Sequence, residues 1–581
     1  MKKLKFIFLL TLFFNSLLYS NIKEDDIKSI LDKKYNPILI DKKTLHDYYI
    51  QNNFKPYWIN ENGLKDISIT LLESIKNDLV LKPIVNEAFK LDEITNSLNS
   101  LKESSNNQTN NLIKIEFLLT ELYEKYSIYL LKVYIEWKSF KEILKKLEEE
   151  KEIEAHWDRY DINKNHKKLL KKAVEENNLS IALKELDPVF ENHTKFSQAI
   201  NEFETIAQNG DFIKLPPFKT LRVGDQSEIV KILRERLVQS KDLTKTCDNT
   251  VINAQNTVTN AISTNGTAVN EIKETNRNLT CEEVFDEDLK EAVISFQKRY
   301  GLFADGIVGL QTQRFLNTSA KYRIKQIRLN VERLRWLPRD FGEKYIIVNI
   351  PDYRLKMFEN NEKRIDMAVV VGERKHPTPI FSDNISYIVL NPNWNIPESI
   401  TKKELLPKLL KDPNYLTSKG IDIYEGWHKE SEKVDTTKII DALILEEEDV
   451  EQRFRFIQGP GEENPLGKIK FMFPNKHSVY MHDTNAKNLF ANAQRAYSHG
   501  CIRLSKPDLL LSTIAQDDKN LNLEKINTIL DEELEKDKSI GLNKKIPVHI
   551  VYLTAWIDEE GNLQFREDIY NYDSMQKELF F

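Results

Sequence analysis

Two stretches decide how this chain is read: Val479-Tyr480-Met481-His482-Asp483, and, after a polar segment, Arg495-Ala496-Tyr497-Ser498-His499-Gly500-Cys501-Ile502-Arg503-Leu504. The alternation from Ser478 to His482 puts Ser478, Tyr480 and His482 on one strand face and Val479 and Met481 on the other. His482 thereby leaves the apolar side and can address a site. A thiol is a weak nucleophile until a base or nearby cations make it a thiolate, and an imidazole is the simplest such base for Cys501. Gly500 permits a backbone in which consecutive N–H groups converge beside the sulfur, the arrangement that holds a tetrahedral oxyanion. Two competing readings are weaker. A zinc set of His477, His482, His499 and Cys501 has suitable ligands, but positions 477 and 482 face opposite sides of a regular strand and the paired spacings of zinc motifs are absent. A serine triad on Ser498 lacks the glycine-flanked elbow such a nucleophile needs. No metal and no cofactor are expected.

Outward from this stretch, the sequence from Tyr345 on has a period of two, with β-branched and aromatic runs such as RIDMAVVVG, ISYIVLNPNWNIP and IPVHIVYLTAWID. This predicts a mainly-β catalytic domain over 343–581. Between Ile400 and Phe454 the pattern lapses into helix-prone sequence, which predicts an inserted helical capping subdomain at about 395–455. Residues 21–215 are rich in Lys, Glu, Leu and Ile, with helical spacing from Leu112 to Leu131, and read as a helical scaffold. Trp58, Trp137 and Trp157 are assigned to packing. A break at Leu215-Pro216-Pro217 opens a module of three short helices over 216–318, interrupted by an Asn- and Thr-rich insertion at about 242–284 and followed by a linker helix at 319–342. The expected fold class is multidomain α+β.

With 581 residues, 40% of them hydrophobic, the chain is long and apolar enough for several cores, and global disorder is excluded. A net charge of -6 gives no basic surplus, so nucleic acid is not the expected partner. Lys2, Lys3 and Lys5 followed by the apolar run Phe6 to Phe14 predict a signal peptide over 1–20 and a periplasmic or wall-associated protein. An uncleaved anchor is the alternative, although the run is shorter than the roughly 20 apolar residues a spanning helix needs. Of three cysteines, Cys247 and Cys281 bracket the insertion and are candidates for a disulfide in an oxidising compartment, leaving Cys501 odd.

Leu221-Arg222-Val223-Gly224-Asp225, Phe296-Gln297 and Asp305-Gly306-Ile307-Val308-Gly309 resemble the peptidoglycan-binding domain family. A strand-borne His482 followed by Ser498-His499-Gly500-Cys501 resembles the L,D-transpeptidase family of YkuD type, and the whole arrangement resembles its large YcbB-like branch. The resemblance implies that Cys501 is a nucleophile forming a thioester and His482 its general base, oriented by the backbone carbonyl of Asp483. His499 and Gly500, with the Cys501 N–H, fall where the family builds its oxyanion hole. Arg503 and Ser498 fall on the substrate side, with Tyr480 and Tyr497 flanking as wall. The implied activity joins peptidoglycan stem peptides, a tetrapeptide donor and a diaminopimelate-type acceptor, into 3-3 crosslinks, with carbapenem β-lactams as inhibitors. The alternatives are an L,D-carboxypeptidase, attachment of proteins to the wall by the same chemistry, and a non-catalytic peptidoglycan-binding scaffold.

Overall fold

The computed structural model describes residues 22–580 apart from 34, 38–39, 62, 82–87, 93–95, 97–107, 133–136, 161, 245–279, 429, 446–448 and 532–536. The stretch read as a signal peptide, most of the 242–284 insertion, and Cys247 lie outside the described residues. Cys281 is disulfide-bonded, and Cys501 is a free thiol.

The N-terminal region packs around helix Gln108–Lys132, whose Ile113, Phe117, Leu119, Leu122, Tyr123 and Leu130 are fully buried. An element apolar on nearly every side belongs in the middle of a bundle. Its Glu116 is also buried, because the carboxylate accepts main-chain N–H groups of Tyr57, Trp58 and Ile59 beside the small hairpin of β1 (Ile59–Asn60) and β2 (Gly63–Leu64). Those donors would otherwise be buried without partners. Burial still pushes Glu116 up to about 7.

Helix Trp137–Lys151 departs from the expected division. Its apolar stripe of Phe140, Leu144 and Leu147 does not join the scaffold core; with Ala155 and Trp157 it packs into the core of the β domain. Main-chain bonds secure the junction: Asp158 N–H donates to Ile380 O at 2.8 Å and Ile380 N–H to His156 O at 3.0 Å.

The three-helix module, Glu228–Gln239, Glu287–Arg299 and Leu310–Leu316, closes on Leu233, Leu237, Leu289, Val293, Phe296 and Leu316. Gln297 is the reason for its signature turn. Its amide donates to Asp305 and to Ile307 O, both at 2.9 Å, and accepts the Gly306 N–H at 2.8 Å. The helix at Ala320–Leu334, expected as a linker, is instead a buried strut. Its Arg333 pairs with Asp573 at 2.7 Å, and Arg335, just past its end, pairs with Asp78 at 2.7 Å and Asp187 at 2.9 Å, all five side chains being almost inaccessible to water. Removing one partner of such a buried pair leaves an uncompensated charge and is strongly destabilising.

The β domain contains β3 (Lys344–Asn349), β4 (Arg354–Glu359), β5 (Glu362–Gly372), β6 (Phe381–Leu390), β11 (Ile469–Met472), β12 (Met481–His482), β13 (Ala496–Ser498), β14 (Ile502–Leu504) and β15 (Lys538–Val551). They form one nine-stranded sheet in the order β13-β5-β14-β12-β11-β6-β15-β3-β4, and β4 also pairs with β5, so the sheet closes on itself around Ile346, Leu355, Val369, Ile388, Phe471, Met481 and Ile502. A hairpin of β16 (Ala555–Ile557) and β17 (Leu563–Phe565) follows.

Between β6 and β11 the inserted unit carries more than the expected helices. Strands β7 (Trp394–Asn395), β8 (Ile421–Glu425), β9 (Lys433–Val434) and β10 (Phe454–Gln458) form an antiparallel sheet in the order β7-β10-β8-β9. Its helices pack on this sheet through Leu405, Leu409, Leu416, Ile423, Ile439 and Phe456. The strands are short and their partners distant in sequence, which hides them among helix formers.

Candidate active site

Cys501 lies between a left-handed turn at Gly500, φ +109°, and strand β14. Only glycine adopts that conformation without strain. The loop is braced from both sides. Ser498 Oγ donates to Cys501 O at 2.5 Å and accepts the Gly500 N–H at 3.2 Å. Thr378 Oγ1 donates to Gly500 O and accepts the Gly372 N–H, each at 2.8 Å. At Gly372 a Cβ would stand 2.2 Å from His376 O, so the tight approach of this turn excludes any side chain there.

The sheet register assembles the chemistry. β12 runs parallel to β14 with His482 opposite Arg503, and antiparallel to β11 with Lys470 opposite His482. Because opposed residues and every second residue along a strand share a face, Tyr480, His482, Cys501, Arg503 and Lys470 fall on one side of the sheet. The group that most favours the thiolate is Tyr480, through its main chain and its phenol. Lys470 Nζ sits 3.7 Å from the centroid of the Tyr480 ring, a cation–π contact that fixes the phenol. The Tyr480 and His482 rings meet edge-on at 5.6 Å.

The electrostatics follow from burial and two cations. Burial raises the Cys501 thiol above its ordinary value, while Tyr480, Lys470 and Arg503 all act the other way. Burial also pulls Lys470 and Arg503 down, and a thiolate at Cys501 would oppose that shift in both. Burial raises the Tyr480 phenol far above its usual value, so at neutral pH it is a donor. His482 is pushed down to about 3, first by burial and then by Arg503, despite the carbonyl of Asp483. It is therefore uncharged. Its Nδ1 donates to Asp483 O, which leaves Nε2 as the basic nitrogen. The phenol and two cations stabilise an anion at the half-buried sulfur, and the neutral imidazole on the same face of the adjoining strand is a base for the thiol proton.

Several expected site residues stand elsewhere or act differently. Ser498 is not on the substrate side: it is 2% exposed and its hydroxyl is spent inside the loop. The Gly500 N–H, expected at the oxyanion, is engaged by Ser498 Oγ. The His499 side chain turns to the inserted unit, with Nε2 3.0 Å from Glu404 Oε1. Tyr497, opposite in pleat to Ser498, is exposed and accepts a hydrogen bond from Asn492 rather than walling the thiol. Tyr480, expected as wall, acts on the thiol and favours its anion. The carboxylate of Asp483 accepts the Lys468 N–H at 2.9 Å and pairs with Lys487, bracing the loop that carries its carbonyl. Arg503 Nε is buried and has no partner among the described residues. His477 pairs with Asp158 at 2.9 Å and stacks on His156, so the four-ligand zinc set does not assemble. Sequence reasoning missed Lys470 and the bracing hydroxyl of Thr378; Lys470 has no local signal, because only the long-range register of β11 against β12 brings it to the thiol. A cleft of about 540 Å³ runs from His499 and Gly500 to Lys141 and Lys145 of helix Trp137–Lys151.

Residues 343–517 match the model of the L,D-transpeptidase catalytic domain. This part of the chain is similar to that family. Residues 43–199 match a family described as "Scaffold domain" and residues 275–316 one described as "Putative peptidoglycan binding domain". A Haemophilus influenzae protein named "Putative L,D-transpeptidase" is 33% identical over 261 residues, 45% of this chain and 50% of that protein. The chain thus spans about half the length of the curated relative it matches. Among solved structures, an L,D-transpeptidase from Stackebrandtia nassauensis is 13% identical, with 58% of this chain and 97% of that one covered and a TM-score of 0.20. An L,D-transpeptidase from Mycobacterium smegmatis is 13% identical over 36% and 58%, TM-score 0.16. The L,D-transpeptidase LdtMt1 in complex with imipenem is 11% identical over 36% and 59%, TM-score 0.17. Overlaps this low carry no residue assignment. Among the described residues no helix is long and apolar enough to cross a membrane.

Proposed function

We propose that the chain is a peptidoglycan L,D-transpeptidase working outside the cytoplasm, with Cys501 as its nucleophile. The observation that carries this reading is the sheet register that sets Cys501, Arg503, Lys470 and Tyr480 on one face with an uncharged His482. His482 Nε2 takes the thiol proton as the sulfur attacks the carbonyl of the third residue of a donor tetrapeptide. With the Gly500 N–H engaged, the Cys501 N–H is the main-chain donor for the developing oxyanion. The tetrahedral intermediate collapses to a thioester as His482 returns the proton to the departing D-Ala amine. The side-chain amine of a second stem, of diaminopimelate type, then attacks the thioester, loses its proton to His482 and regenerates the thiol, leaving a 3-3 crosslink. Arg503, with its unspent Nε donor, is the proposed contact to the donor stem.

In this reading the unit between β6 and β11 closes over the sulfur and favours the amine over water. The scaffold and the three-helix module, residues 21–215 and 216–318, support that domain, and the first twenty residues direct export. Carbapenems acylate the same sulfur. The test is incubation of the full chain and of Cys501→Ala with tetrapeptide muropeptides, followed by mass spectrometry. Crosslinked dimers and free D-Ala, absent with Cys501→Ala, support the transpeptidase. Tripeptides and D-Ala without dimers identify a carboxypeptidase, and binding to sacculi without turnover identifies a scaffold.

A further inference from the structure

On the far side of the catalytic loop from Tyr480, a second group of ligand-type side chains converges. Among the described residues, Glu373, His376 and His499 are the one set of histidine, cysteine and acidic groups whose donor atoms meet, all lying within 4.8 Å of one another. The backbone builds this cluster. His376 N–H donates to Glu373 O at 3.1 Å, closing a turn directly after β5, and Glu373 N–H donates to Ser498 O at 2.8 Å, fastening that turn to the residue before His499. The two imidazoles lie face to face, 4.9 Å between centroids and 23° between planes. A fourth group comes from the inserted unit: Glu404, in the π-helical turn Thr401–Leu405, has Oε1 3.0 Å from His499 Nε2.

Two imidazoles and two carboxylates form a donor set suited to zinc. Zn–N and Zn–O bonds of about 2.0–2.1 Å imply ligand atoms roughly 3.3 Å apart around a tetrahedral ion. His499 and Glu404 already stand at about that separation, and the other two must close in by side-chain rotation at a surface turn. We propose that Glu373, His376, His499 and Glu404 form a zinc site that ties the inserted unit to the catalytic loop. The ion takes neutral imidazoles and ionised carboxylates as ligands, so any proton these groups carry leaves to solvent on binding. The thiol takes no part: Cys501 shares its face with Tyr480 and two cations, Lys470 and Arg503, which repel a further positive charge. The site does not depend on which reaction the thiol performs.

The test uses the full chain, stripped with a chelator and titrated with Zn²⁺ against a chromogenic competitor, with Co²⁺ as a spectroscopic probe. One equivalent is expected to bind, with affinity kept in Cys501→Ala and lowered roughly tenfold or more in each of Glu373→Gln, His376→Asn and Glu404→Gln. The cobalt form is expected to show visible ligand-field bands with no thiolate-to-cobalt charge-transfer band. Circular dichroism of the metal-free variants separates lost ligands from lost folding, and three independent positions guard against failure of any one. Parental affinity in the His376 and Glu373 variants overturns the proposal, as does loss of binding in Cys501→Ala, a thiolate band, or the absence of stoichiometric binding.

Discussion

Replacing Tyr480 with Phe isolates one hydroxyl. In the structure that hydroxyl favours the Cys501 thiolate, while the ring, which Tyr480→Phe keeps, carries the contact with Lys470 at 3.7 Å. A hydrogen bond to a charged group contributes about 1.5–3 kcal/mol, and each 1.36 kcal/mol is about tenfold in rate. Acylation by a carbapenem should therefore slow by roughly 10- to 150-fold. The pH dependence has a definite sign. Burial lifts the thiol above its ordinary value, and the Tyr480 hydroxyl works against that lift. Removing it raises the thiol further, so the thiolate forms at higher pH and the rising limb of the rate profile moves to the alkaline side. His482, held down to about 3, stays uncharged throughout and adds no inflection near neutrality. Single-turnover acylation, followed by intact mass and by loss of β-lactam absorbance from about pH 6 to about pH 10, reads both effects. A parental rate with an unmoved limb would refute the assignment of Tyr480 to the thiol.

His482→Gln should slow acylation by about 10²- to 10⁴-fold through loss of the base; the same assay checks this, and a rate within severalfold of the parent removes His482 from the chemistry. Ser498→Ala strands the Gly500 N–H and the Cys501 carbonyl in a braced loop, with an expected cost of about 1–3 kcal/mol. Denaturant unfolding followed by a probe in the β domain should register it together with slower acylation. Arg335→Met leaves Asp78 and Asp187 as buried charges without their cation and should destabilise the scaffold junction by about 3–5 kcal/mol. Adding Asp78→Asn and Asp187→Asn should recover most of that loss in hydrogen exchange of helix Ala320–Leu334, whereas an unrecovered loss would mean that packing, not charge, holds the junction.

What was readable from the sequence was local. The strand alternation around His482, the glycine before Cys501 and the break at Pro216-Pro217 are short-range signals, and the structure puts His482 on β12 beside the strand that follows Cys501. What was not readable depended on partners far along the chain. The stripe Phe140, Leu144, Leu147 announces a buried face but not which core receives it, and it goes to the β domain rather than the neighbouring helices. Lys470 is one lysine in a lysine-rich chain until β11 aligns it with His482. Ser498 belongs to the motif by position, but the pleat of β13 turns it inward and Tyr497 outward, and polarity alone does not report which way a hydroxyl faces. The strands of the inserted unit escaped for the same reason, since Ile421 pairs with Gln458 across the whole subdomain.

Entry to and exit from that unit run side by side: Trp394 lies opposite Gln458 and Asn395 opposite Ile457, and Asn464 Nδ2 clasps Pro392 O at 2.9 Å. A flap sewn along so narrow a seam has one easy rotation and little freedom to slide. At its distant rim, Glu404 touches His499. In the proposed role of that unit, gating of the thiol reduces to a single angular coordinate, and one covalent staple across that rim is expected to arrest it.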